Sequence, residues 1–181
     1  MRIHRRRLPH CDAPGCPVFV TWRLHGSLPP GRRFESENLT SGQAFVTWDR
    51  LLDKAQTGPL YLRRAEVARI IQDQLIQVAA DGWCTLGAYV IMPNHVHVVW
   101  MPHVSLSELI RKVKGPTALL ANRSLGLSGK FWQDEYFDRQ VRTEQEYRRI
   151  VDYIEWNPVK AGLAAVPERF LWSSAHEAKQ G

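Results

Sequence analysis

The run Pro93-Asn94-His95-Val96-His97-Val98-Val99-Trp100 limits the fold of this chain more than any other segment. Its valines and tryptophan favour a strand, and Pro-Asn ahead of them favours a turn. Side chains alternate across a strand, so His95 and His97 project from one face. An apolar β-branched strand is a stiff, mostly buried support. Two imidazoles held together on it are a suitable grip for a metal ion.

The neighbouring segments extend that strand into a sheet. Residues 83–92 form an apolar strand after the Asp81-Gly82 turn, and Pro93-Asn94 connects it tightly to an antiparallel partner over 95–101. Residues 17–25 form another strand, with Phe19, Thr21 and Arg23 on one face and Val20, Trp22 and Leu24 on the other. A fourth strand covers 136–142. Helical spacing predicts helices over 42–56 and, more strongly, over 64–80, where Val67, Ile70, Ile71, Leu75 and Val78 repeat. Ser105-Leu-Ser-Glu108 and Thr143-Glu-Gln-Glu146 are capping boxes that open two more helices. Gly115-Pro116 is expected to bend or interrupt the first of these, and Asn157-Pro158 to end the second. The tail carries Phe170, Leu171 and Trp172, which are expected to pack against the body. This order gives an α+β, ferredoxin-like antiparallel sheet with helices on one face and an added C-terminal helix.

A length of 181 residues fits a single domain over 1–181, with a basic N-terminal arm at 1–16 and a C-terminal tail at 163–181. Met1-Arg-Ile-His-Arg-Arg-Arg-Leu is basic but leads into no apolar stretch, so a signal peptide is not expected and the cytoplasm is the expected location. No apolar span is long enough for a membrane helix. The net charge of +6 favours a polyanionic partner. Cys11, Cys16 and Cys84 are too few for a disulfide framework, and Cys11 and Cys16 with His4 or His10 match no standard zinc spacing.

The helix opened by Thr143 carries the stripe Tyr147, Ile150, Val151 and Ile154. Tyr153 and Asn157 lie one turn apart at the border of that stripe. From there both can reach the edge of the sheet the helix packs on. If that edge carries the histidines, His95, His97 and Asn157 converge as three metal ligands beside a tyrosine hydroxyl. A phenol is a poor nucleophile at neutral pH unless positioned and activated. A divalent ion polarises a phosphate oxygen and stabilises developing charge.

These residues reach a known family. Pro93 to Val99 resembles the HUH motif of single-tyrosine transposases. Phe131-Trp-Gln, Phe137-Asp138-Arg139-Gln-Val-Arg142, Tyr153-Ile-Glu-Trp-Asn157-Pro-Val-Lys160-Ala-Gly-Leu163 and Trp172-Ser-Ser174 resemble the REP-associated tyrosine transposases, over about residues 17 to 175. The resemblance implies metal-dependent cleavage and rejoining of single-stranded or hairpin DNA, including palindromic repeats, through a 5′-phosphotyrosine on Tyr153. It implies His95, His97 and Asn157 as ligands of Mg²⁺ or Mn²⁺, and a monomer or homodimer. One departure is Arg139, which stands where many relatives carry histidine.

Expected DNA contacts are Arg5, Arg6 and Arg7 of the arm, Arg23, Arg111, Lys112, Lys114, Arg139, Arg142 and Lys160, with Trp132 as a stacking surface. A histidine-triad hydrolase is disfavoured because Val99 occupies the third histidine position. A two-histidine phosphoesterase needs a second His-x-Ser element, and His25-Gly-Ser27 and His103-Val-Ser105 supply the bare pattern. Neither accounts for Tyr153 and Asn157. The alternative of another class is a non-catalytic DNA-hairpin binding protein that keeps the fold.

Overall fold

The computed structural model describes residues 14–28, 52 and 58–177. The helix expected over 42–56 lies outside these apart from Leu52, as do Arg5, Arg6 and Arg7. Among the described residues, four strands, β1 (Val18–Arg23), β2 (Cys84–Ile91), β3 (His95–Pro102) and β4 (Phe137–Gln140), form one antiparallel sheet in the order β2-β3-β1-β4. Helix α1 (Ala65–Ala80) joins β1 to β2 in chain order, α2 (Leu106–Leu125) joins β3 to β4, and α3 (Glu144–Lys160) follows β4. A short α4 (Ser174–Glu177) closes the described chain. This is the ferredoxin-like plan with an added helix. No described helix is long and apolar enough to cross a membrane.

Alternation on the strands sorts the sheet into two chemically different faces. Val18, Val20 and Trp22 of β1, with Leu24 just beyond it, join Val96, Val98 and Trp100 of β3 in the larger core, packed against Val67, Ile71, Leu75 and Val78 of α1 and Leu106, Leu109, Ile110 and Val113 of α2. The opposite face carries Phe19, Val90, Met92 and Val99, closed by Ile154, Ile150, Val151 and Tyr147 of α3. Burying a side chain of this size contributes ~1.5–3 kcal/mol. The sheet is therefore covered on both faces, and the face bearing the histidines belongs to α3.

Close approach of α3 depends on Gly87. β2 slips register against β3 between Leu86 and Tyr89, and a methyl built on Gly87 would stand 2.6 Å from the Tyr147 hydroxyl and 2.7 Å from the Val99 carbonyl oxygen. Only glycine leaves room there for the first turns of α3.

Two proline expectations are corrected. α2 runs unbroken through Pro116. Pro116 lacks the N–H that would bond to the Lys112 carbonyl, and Gln74 of α1 donates its amide N–H to that oxygen at 3.1 Å instead. α3 likewise continues through Pro158 to Lys160. It ends at Gly162 (φ 72°), where Gly162 N–H bonds to Val159 O at 3.0 Å and Leu163 N–H to Pro158 O at 2.8 Å. That is a Schellman stop, one turn beyond the expected end. Both capping serine/threonine readings hold: Ser105 Oγ accepts from Glu108 N–H at 3.3 Å, and Thr143 Oγ1 from Glu146 N–H at 3.1 Å. In the tail, Trp172 and Phe170 pack on the two cores, but Leu171 is 55% exposed. Cys16 and Cys84 are both free thiols, and burial pushes Cys84 up to about 11.

Candidate active site

The site grows from the register of β1 on β3, which pairs Thr21 with His97 and Arg23 with His95. His95 and His97 are fully buried. Their Nε2 atoms face one another at 3.0 Å, while each Nδ1 is held from behind. His97 Nδ1 meets Thr21 Oγ1 at 2.7 Å, and His95 Nδ1 meets Asn94 Oδ1 at 2.6 Å. Phe19 stacks on the His97 ring with centroids 5.7 Å apart. Thr21, Asn94 and Phe19 are not site residues in the sequence reading, because strand register places Thr21 and Phe19, and the Leu52 contact orients Asn94.

α3 brings its tyrosine over this pair. The Tyr153 ring lies 5.6 Å from the His97 ring, and meets Phe19 edge-on at 6.0 Å. Asn157, one turn on, is 1% exposed. One turn further, Ala161 lines a small cavity of about 60 Å³ together with Asn94, His95, Arg63 and Leu163. The helix edge from Tyr153 to Ala161 thus runs along the histidine pair, with Asn157 in its middle. Lys160 places its ammonium 5.2 Å from the Tyr153 ring centroid.

The donor set fits a divalent cation. The two Nε2 atoms, 3.0 Å apart on one buried strand, are a nitrogen pair that would hold one such ion between them. Without a cation, the same distance is an N–H···N hydrogen bond. Among the described residues there is no cluster of three or more His, Cys, Asp and Glu side chains, so a third ligand drawn from the described residues would be of another type.

The expected DNA contacts divide between the two sides of the sheet. Arg23 is half-buried beside His95, with Nη1 donating to Ser27 Oγ at 3.1 Å, and burial lowers its pKa from the ordinary arginine value. Arg139 pairs with Glu146 at 2.6 Å, and the Arg142 backbone N–H donates to the other oxygen of that carboxylate at 3.0 Å. Arg111, Lys112 and Lys114 sit on α2, behind the sheet. Lys112 lies 3.5 Å over the Trp83 ring, and Lys114 donates to the carbonyls of Gln133 (2.6 Å) and Asp134 (3.1 Å). Arg111 and Lys114 line a groove of about 600 Å³ between α2 and residues 129–136. Trp132 is corrected as a stacking platform: it is 5% exposed, donates to Thr117 Oγ1 at 3.0 Å and packs edge-on against Trp22. His25 and His103, from the bare His-x-Ser patterns, lie apart from the pair; His103 spends its nitrogens on Gly82 O (2.9 Å) and Thr85 Oγ1 (3.1 Å), and His25 meets Gln133.

An antiparallel α+β sheet with paired imidazoles under a tyrosine-bearing helix defines the class in structural terms. The chain belongs to the IS200-like transposases, whose family model matches residues 61–157, more than half of the chain. Within that class it is similar to a REP-associated tyrosine transposase of Escherichia coli (strain K12), 28% identical over 111 residues, covering 60% of this chain and 64% of that protein. The chain thus aligns with slightly less than two thirds of that relative. A solved REP-associated tyrosine transposase bound to a REP hairpin shares the fold, with a TM-score of 0.62 and 21% identity over 97% of this chain and 86% of that one. The resemblance read from the motifs is borne out.

Proposed function

We propose that this chain cleaves and rejoins one DNA strand beside a hairpin, with Tyr153 as nucleophile. The observation that carries the reading is the Tyr153 ring 5.6 Å from His97, on the sheet face where the two imidazoles meet. His95 and His97, with Asn157, would hold Mg²⁺ or Mn²⁺, and the imidazole pair suits manganese. Such an ion, when bound, polarises a phosphate oxygen and stabilises charge in the transition state.

The chain's own groups do the rest. The Tyr153 oxygen attacks the phosphorus of one phosphodiester. The bond to the 3′ oxygen breaks, that oxygen takes up one proton as the phenol gives up one, and a 3′-hydroxyl and a 5′-phosphotyrosine remain. The ester keeps the energy of the broken bond, so attack by a 3′-hydroxyl reseals DNA and returns the phenol. Lys160, beside the Tyr153 ring, supports the negative charge shared by phenol oxygen and phosphate. Packing of Phe19 against both rings fixes the angle between nucleophile and imidazoles. Hairpin DNA is the proposed partner because the structural neighbour is bound to a REP hairpin.

The test is a labelled hairpin with single-stranded flanks, incubated with protein and Mn²⁺ and resolved on a denaturing gel. A covalent adduct is expected from the wild type and none from Tyr153→Phe. An adduct that survives Tyr153→Phe rejects the nucleophile. Tight hairpin binding without any adduct favours the non-catalytic binding protein.

A further inference from the structure

We infer that Asn94 is a positioning residue that locks His95 in one tautomer. The inference deepens the metal-dependent reading above, but its first measurement needs neither metal nor DNA.

Asn94 is 2% exposed and His95 fully buried, so water cannot exchange freely for the contacts between them. The Asn94 amide nitrogen donates to the Leu52 carbonyl at 3.0 Å. A carbonyl only accepts, so this bond orients the amide, nitrogen toward Leu52 and oxygen toward His95. The reversed amide would set oxygen against oxygen at Leu52. The Asn94 backbone is tied as well, its carbonyl accepting from Leu24 N–H at 2.8 Å. The oriented amide oxygen stands 2.6 Å from His95 Nδ1. An amide oxygen cannot donate, so Nδ1 must carry the hydrogen. A neutral imidazole has one N–H, and the lone pair therefore sits on Nε2, the atom 3.0 Å from His97 Nε2.

His97 is held differently. Its Nδ1 partner is the Thr21 hydroxyl at 2.7 Å, which either donates or accepts. Thr21 tolerates both tautomers of His97, whereas Asn94 permits one tautomer of His95. The pair is asymmetric: His95 is preset as a donor to a cation, and His97 adapts. Partners of this kind behind a ligating imidazole raise metal affinity by ~10–100-fold.

The experiment is a long-range ¹H–¹⁵N correlation spectrum of the chelator-treated protein at a pH where imidazoles are neutral, followed by Mn²⁺ titration calorimetry. Wild-type His95 is expected as the Nδ1–H tautomer. Asn94→Leu, which removes the acceptor, is expected to lose that tautomer and weaken Mn²⁺ binding ~10–100-fold. Wild-type His95 found as Nε2–H overturns the inference, even if Asn94→Leu does not fold. A folded Asn94→Leu that binds Mn²⁺ as tightly as wild type overturns it too. A protein with the expected tautomer and no DNA adduct sinks the strand-transfer reading and leaves this one standing.

Discussion

Replacing Gly87 with alanine tests how α3 is seated over the histidines. The added methyl would stand 2.6 Å from the Tyr147 hydroxyl, 2.7 Å from the Val99 carbonyl oxygen and 3.2 Å from Val99 Cγ1. Ordinary contact begins near 3.4 Å, so the two oxygens are short by about 0.8 and 0.7 Å. The phenol of Tyr147 can swing away. The Val99 carbonyl cannot, because it belongs to β3, two residues from His97. The strain must pass into β3 or lift α3. Overpacking of this kind costs ~1–3 kcal/mol, and each kcal/mol lowers the melting temperature by ~2–4 °C in a chain of this size. If Tyr153 is the nucleophile proposed above, the larger effect falls there, since moving a reacting group by ~1 Å costs ~10²-fold in rate. Thermal unfolding and single-turnover adduct formation on the labelled hairpin measure the two effects separately. Adding Tyr147→Phe removes the hydroxyl contact but not the Val99 one, so it should restore part of each. A Gly87→Ala protein with wild-type melting temperature and wild-type adduct rate refutes the packing argument.

Three further outcomes are expected. Gln74→Ala leaves the Lys112 carbonyl without the donor that replaces the Pro116 N–H, and should destabilise by ~1 kcal/mol in chemical denaturation, with Pro116→Ala recovering the loss. Burial, then Asp152 and Glu168, raises the Glu155 pKa against a lowering hydrogen bond from Ser174. The folded state then holds this proton more tightly than the unfolded one, so stability falls as pH climbs from the ordinary carboxylate range through the raised value. Glu155→Gln should therefore melt slightly higher than wild type at pH 7 and alike below pH ~4, a small effect because the group is partly solvated. Binding to the single-stranded flank should weaken linearly in log–log plots against salt, and Lys160→Gln should flatten the slope by ~0.7, the share of one phosphate contact; an unchanged slope places Lys160 off the DNA.

Much of the fold was legible where a local rule decides it. Alternation separated Phe19, Thr21 and Arg23 from Val20, Trp22 and Leu24, and the structure keeps that division. The capping residues Ser105 and Thr143 marked helix starts through bonds spanning three residues. The prolines misled because their cost is local but its relief is not. Gln74, far from Pro116 in sequence, supplies the missing donor. At Pro158 the helix likewise runs on to the Gly162 stop, and nothing in the structure explains why the proline is tolerated there. Trp132 misled because an aromatic residue beside basic ones reads as a stacking surface, while the Trp22 and Thr117 that bury it are distant in sequence.

By itself, the sequence determined that His95 and His97 share one strand face and that Tyr153 and Asn157 share one helix edge. Strand and helix periods are properties of each element alone. Tertiary structure decided that these two surfaces meet: α1 and α2 take the opposite face of the sheet, and Gly87 lets α3 settle on this one. It also decided what stands behind each imidazole, Thr21 by strand register and Asn94 through Leu52. Those contacts join residues up to 76 positions apart. No local preference encodes such pairings; they arise only when the sheet closes and buried polar groups must find partners.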